Sequence, residues 1–326
     1  MWNFRKALAA TALAAMVTTA AAQPAYPTKP MTWIVPFAVG GPTDVFARSI
    51  ADRVARELGQ PIVVENVGGA GGTMGAAKGA RANPDGYTFL VGHMGYMGAA
   101  PALYKKLSYD PVKDFEPVFR FPDTPLVLLV RAGSPFKTSK DLVEHAKKNP
   151  SKLNFGNAGV GSTSHLVAAL FASSAGIEIT SIAYKGAGPA LNDLIGGQLD
   201  AMFDQTNTAL PQVQGGRITA IGVTSDQPIA QFPGVPPIAQ SALPGFEAAT
   251  WYGLYAPKTT PKDIVQKVYQ AYTRVMSDAG FTKKLADQGI RLLPESQYAP
   301  EAFAKHTASE VERWRKVAAT AKIQLD

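Results

Sequence analysis

FEPVFRFPDTPLVLLVR, residues 115–131, decides how this chain folds. The run is far longer than the roughly five or six residues of an ordinary strand, and Pro117, Pro122 and Pro125 interrupt it. It reads as an extended crossing from one lobe to another. On its N-terminal side, β-rich runs at residues 32–37, 62–67 and 88–93 alternate with helical patterns, which predicts an α/β lobe with a mostly parallel sheet. The first helix is marked by Thr43 as N-cap, by Phe46, Ile50, Val54 and Leu58 on one face, and by Gly59 and Pro61 at its end.

Beyond the crossing the alternation resumes, with strands predicted at 152–156, 179–184, 199–203 and 218–223. A proline-rich stretch at 227–244 without periodicity reads as the return crossing, followed by a strand at 249–256. Thr260 then caps a helix that has Pro261 at its first position, and Thr307 with Glu310 spells a capping box for a terminal helix near 308–321. Two crossings with both chain ends in the first lobe describe a clamshell: lobe 1 over 23–123 and 226–326, lobe 2 over 124–225, and the ligand cleft at the carboxyl ends of the strands.

Residues 1–22 carry a positive start at Arg5 and Lys6, a short apolar run over 7–17 and small residues up to Ala22. This is the pattern of a signal peptide cleaved after Ala22, and the apolar run falls short of the roughly 20 residues that a membrane span needs. No cysteine follows it to carry a lipid anchor. Export to the periplasm is expected. Without this leader the balance of 32 basic and 25 acidic residues becomes 30 and 25, mildly basic and scattered, with no nucleic-acid motif. The absence of cysteine suits an oxidising compartment and removes thiolate nucleophiles and Cys-held metals.

Two glycine loops, PFAVGGPTD at 36–44 and GNAGVGSTSH at 156–165, each join a strand to a helix, one in each lobe. Glycine lets the backbone approach a ligand, and a helix N-terminus favours an anion by about 0.3 to 1 kcal/mol, or up to about 2 when partly buried. Facing each other across a cleft, the two could hold a carboxylate without arginine. Asp44 suits the first turn of its helix through the dipole, although it would repel a carboxylate unless water intervened. A third cluster, 68–75, spells GxGxxxG, but Glu65-Asn66 ends the strand before it and no acid follows at the spacing a nicotinamide site needs. Of the four histidines, His145 and His306 sit in charged helical segments and read as solvated, whereas His93 and His165 fall at element ends facing the cleft. None has metal-ligand spacing, and neither GxSxG nor HExxH occurs, so no catalytic nucleophile or cofactor site is found.

The segments YPTKPMTWIVPFAVGGPTD, NVGGAGGTMGAAKGARANPDGYTFLVG, NFGNAGVGSTSHL, YKGAGPALNDLIGGQLDAMFD and WYGLYAPKTTP, in this order, resemble the solute receptors of tripartite tricarboxylate transporters, the Bug family. The resemblance covers nearly the whole chain after the leader. It implies a two-lobed, Venus-flytrap periplasmic binding protein of type II-like fold, with no cofactor and no enzymatic activity. The implied partners are a small carboxylate ligand and membrane transporter subunits, the receptor itself being a monomer without a membrane anchor. A sensor partner in place of a transporter is not distinguished by this chain. Carried over by position, the family's loops give Phe37, Gly40, Gly41, Thr43 and Asp44 on one side, Asn157, Gly161, Ser162, Thr163 and His165 on the other, and Asp204 as a third cleft position. The chain departs from the family's usual PFxPGGxxD at Val39 and in having Pro42 before Thr43. Met94, Tyr96 and Met97 stand where many relatives carry small polar residues. They point to a flat ligand, an aromatic mono- or dicarboxylate such as terephthalate or phthalate, with a four- to six-carbon aliphatic acid, a di- or tricarboxylate or an amino acid as the alternatives, and His93 is a further candidate contact.

Overall fold

The computed structural model describes residues 26–321. The leader expected at 1–22 lies outside them. The chain first lays down β1 (Met31–Val35), α1 (Pro42–Leu58), β2 (Ile62–Asn66), α2 (Thr73–Ala80), β3 (Thr88–His93), α3 (Ala100–Leu103) and β4 (Phe115–Arg120). There follow β5 (Thr124–Arg131), α4 (Ser139–Lys148), β6 (Asn154–Asn157), α5 (Thr163–Ala175), β7 (Thr180–Ala183), α6 (Ala187–Ile195), β8 (Ala201–Gln205), α7 (Thr206–Gln214), β9 (Ile218–Val223), α8 (Ile238–Ser241) and β10 (Ala249–Thr250). The chain ends with β11 (Tyr252–Pro257), α9 (Lys262–Met276), α10 (Ala279–Ala286) and α11 (Pro300–Ala321). No helix of the described residues is long and apolar enough to cross a membrane.

Two sheets result, one in the order β2-β1-β3-β11-β4 and one in the order β10-β5-β8-β6-β7 with β9 also paired to β5. The stretch at 115–131 behaves as its sequence suggests: β4 belongs to the first sheet, β5 to the second, and Phe121, Pro122 and Asp123 link them. Both sheets are mixed, where mostly parallel ones were expected. The strands that arrive from the other sheet, β5 and β11, run antiparallel to their neighbours, while the βαβ units around β1 and β6 are parallel.

Burial explains where the second crossing falls. Phe232 packs with the apolar residues of β8 and β9, and Ile238 and Phe246 pack with those of β5, β6 and α5, so the proline-rich segment covers the second sheet instead of leaving it. The expected strand at 249–256 is broken at Trp251, with Thr250 paired to Thr124 in one sheet and Tyr252 paired to His93 in the other. We therefore propose that the second lobe extends from residue 124 to 250 and that the return is at Trp251, not near residue 225.

Three predicted caps are also relocated. Gly41 caps α1 with extended backbone, because Pro42, whose fixed φ and missing N–H suit a first helical position, is already in the helix. Pro261 precedes α9, and the Thr260 hydroxyl bonds instead to the Pro257 carbonyl at 2.8 Å. The last helix begins at Pro300, which places Thr307 and Glu310 in its interior, where they bond Tyr255 and Trp251 of the first sheet.

Candidate functional site

Four helices of the two lobes begin at one cavity of about 150 Å³ between the sheets. Their starts are Gly41-Pro42 of α1, Ser162-Thr163 of α5, Gly186-Ala187 of α6 and Gln205 before α7, all of which line it. Each follows the carboxyl end of a strand, so backbone amides of the first helical turns converge where no strand or helix carbonyl accepts them. The sequence pointed to two of these starts; α6 and α7 were missed, although the YKGAGPA segment carries the glycine signal for α6. Phe37, Leu126 and Phe203 supply apolar walls. Thr43, His93, Ser162, Thr163, Ser164, Asp204 and Gln205 supply polar groups, and Lys185 is the one cation in the lining.

The loop after β1 is braced from behind. Asp44 is buried and accepts from the Gly40 amide at 2.9 Å, from Arg48 Nε at 3.0 Å and from Asn66 Nδ2 at 2.8 Å. Burial pushes the Asp44 carboxyl up, but these bonds more than offset it and hold it below the usual carboxylate range. Asn66 also donates to the Phe37 carbonyl at 3.0 Å. Asp44 is thus fully engaged in shaping the loop and does not line the cavity. Gly40, at φ 77°, makes the left-handed turn but spends its amide on Asp44. The amides that α1 leaves for the cleft are those of Thr43 and Asp44, since Pro42 has none.

The loop after β6 is self-supporting in the same way. Asn157 is buried, accepts from the Gly159 amide at 3.0 Å and donates to Ser181 at 2.9 Å, while His165 Nδ1 accepts from the Gly161 amide at 3.3 Å. Ser162 caps α5 by accepting from the His165 amide. Asn157, Gly161 and His165 therefore hold the loop without facing the cavity, whereas Ser162 and Thr163 do face it.

Contacts join the two sides. Thr163 Oγ1 lies 2.8 Å from His93 Nε2, and Tyr252 donates to Gln205 Oε1. A Cβ on Gly95 would come 2.5 Å from the Gly161 carbonyl oxygen, and one on Gly71 would come 2.5 Å from that of Val160. The glycine cluster at 68–75 thus turns, with positive φ at Gly69, Gly71 and Gly72, to seat against the second lobe. Phe37 meets the His93 ring edge-on at 5.0 Å.

Met94, Tyr96 and Met97 are buried in the first lobe's interior with Trp251, Phe303 and Trp314, outside the cavity lining. Residues 94–99 wind into a π-helical turn directly after β3, and the Tyr96 hydroxyl donates to the Val91 carbonyl. These three side chains therefore pack the interior and do not shape a site for a flat ligand. His306 is likewise not solvated: its ring meets Trp251 edge-on at 5.0 Å and its Nε2 is buried without a partner among the described residues.

The family model of the tripartite tricarboxylate transporter family receptor matches residues 46–322. The chain belongs to that family. This receptor is 40% identical to the UPF0065 protein in the TAR-I ttuE-ttuC' intergenic region of Agrobacterium vitis, over 91% of its own length and 86% of the relative's. Among solved structures it is similar to MatC of Rhodopseudomonas palustris with bound malate, at 39% identity and a TM-score of 0.85 over 90% of this chain and 99% of that one. It is also similar to an R. palustris protein with adipate, at 34% identity and a TM-score of 0.86 over 92% and 99%. The receptor is a solute-binding protein of this type and not an enzyme.

Proposed function

We propose that this receptor works in the periplasm, its leader removed after Ala22, and captures an aliphatic dicarboxylate in the size range of malate and adipate for the membrane subunits of a tripartite transporter. The observation that carries this reading is the convergence of four helix N-termini from both sides on one cavity with apolar walls. Oriented amides favour a small oxyanion, and the Thr163 hydroxyl, with one of the mutually bonded Ser162 and Ser164 hydroxyls, adds donors that any carboxylate can use. Lys185 adds the one positive charge of the lining, which favours a ligand with a second carboxylate. The relatives solved with malate and adipate support an aliphatic acid over an aromatic one.

The mechanism is closure. A ligand that touches α1 on one side and α5 to α7 on the other gains its full contacts only when the lobes meet, so it shifts the population toward the closed form. Transporter subunits then read that form. A thermal-shift screen against succinate, L-malate, glutarate, adipate and terephthalate tests the assignment, because a ligand of the native state raises apparent stability by mass action. Stabilisation by one of the aliphatic acids supports it; stabilisation by terephthalate alone restores the aromatic reading, and no shift with any of the five refutes it.

A further inference from the structure

Asp204 is an unexpected group to find in an anion site. It lies in β8, is 2% exposed and lines the cavity. Its Oδ2 accepts from Thr208 Oγ1 at 2.8 Å, and the Gln205 amide also donates to the carboxyl. Among the described residues it forms no ion pair. Val127 of β5 pairs with it, Thr208 of α7 bonds it and Tyr252 approaches from across the cleft, while His93 and one cation, Lys185, share the cavity lining. His93 is fully buried and carries no charge at neutral pH. Because Asp204 lines the cavity, a carboxylate bound there shares the site with its carboxyl group. Two ionised carboxyl groups sharing a site disfavour one another, and one of them takes a proton.

Resting on the carboxylate-receptor reading above, we propose that Asp204 couples capture to proton uptake: a fully ionised dicarboxylate is held together with one proton from solvent, shared between a ligand oxygen and the Asp204 carboxyl. The proton comes from water at the cleft, no covalent bond in the ligand is broken, and the net charge added to the cavity falls from two negative to one. Burial already lifts the free Asp204 carboxyl to about 6, so the residue is ionised at pH 7.5 yet within easy reach of protonation when a second negative charge arrives. Asp204 thereby determines which protonation state of the acid the site accepts.

The test is isothermal titration calorimetry with succinate, glutarate and adipate, which carry no hydrogen-bond donor when ionised, in buffers of different ionisation enthalpy at pH 7.5. The wild-type protein is expected to take up about one proton per acid bound, and its affinity to fall about tenfold per pH unit between pH 7 and 8.5. Asp204→Asn is expected to bind without proton uptake, with affinity independent of pH and stronger than wild type at pH 8. Binding to wild type without proton exchange overturns the assignment and leaves the receptor reading intact, as does unchanged uptake in the variant. No binding of the three acids to either protein overturns the assignment, and the receptor reading falls with it only if L-malate and terephthalate are silent as well.

Discussion

Thr163, in the first turn of α5, lies 2.8 Å from His93, the last residue of β3, and this contact ties the second lobe to the first at the wall of the cavity. The geometry assigns each hydrogen. His93 Nδ1 accepts from the Gly95 amide at 2.9 Å, and burial pulls the ring's pKa down to about 3, so the ring is neutral with its proton on Nε2. Nε2 therefore donates to Thr163 Oγ1. The threonine hydroxyl is left with its own hydrogen for a ligand oxygen.

Thr163→Val removes that acceptor and leaves the His93 N–H buried without a partner whenever the lobes meet. The cost is about 1 to 3 kcal/mol of closed form, a loss of roughly 5- to 150-fold in affinity. Calorimetric titration with the acid that stabilises the wild type reads this loss, and the thermal midpoint of the unliganded protein stays close to that of wild type.

Gly95 tests closure without touching the ligand's polar contacts. Its backbone suits any residue, but a Cβ would press on the Gly161 carbonyl oxygen, a backbone atom that cannot step aside. Gly95→Ala is expected to fold normally and to lose at least tenfold in affinity. Small-angle scattering should show no compaction on adding the acid at a concentration that compacts the wild type.

The architecture was legible in the sequence because it rests on periodicity and on proline. The passage from β4 to β5 could be placed from the prolines of 115–131, and the glycine loops announced the starts of α1 and α5. For the return crossing, proline-rich composition marks absence of a repeating pattern and not departure from a sheet, and the packing of Phe232, Ile238 and Phe246 supports the later return proposed above. In the site, Asp44, Asn157 and His165 flank the two glycine loops, yet their side chains are spent on bracing those loops, a choice made by partners such as Asn66 and Ser181 distant in sequence. Met94, Tyr96 and Met97 misled for the same reason, since the π-helical turn that carries them into the interior has no local sequence signature.

His306 sets an acid limit on stability. Burial first, and then the positive charges of Arg120 and Arg313, pull its pKa down to about 3. Its unfolded value is near 6.5, so the unfolded chain binds a proton that the native protein refuses, and stability falls as pH drops from about 6.5 toward 3. Acidification from pH 7.5 to 5.0 is expected to cost about 2 kcal/mol through this residue. Urea unfolding at the two pH values reads the difference, and His306→Gln is expected to reduce it by a similar amount.

The central claim, a carboxylate held between helix starts of two lobes, is tested most directly by titrating the wild-type protein and the double variant Ser162→Ala with Thr163→Ala, side by side, with succinate, L-malate, glutarate and adipate. The wild type is expected to bind at least one of these acids one to one and the variant to bind it at least tenfold more weakly, while the variant unfolds only a few degrees lower through loss of the α5 cap. Equal affinity in the two proteins, or no binding by the wild type, would contradict it.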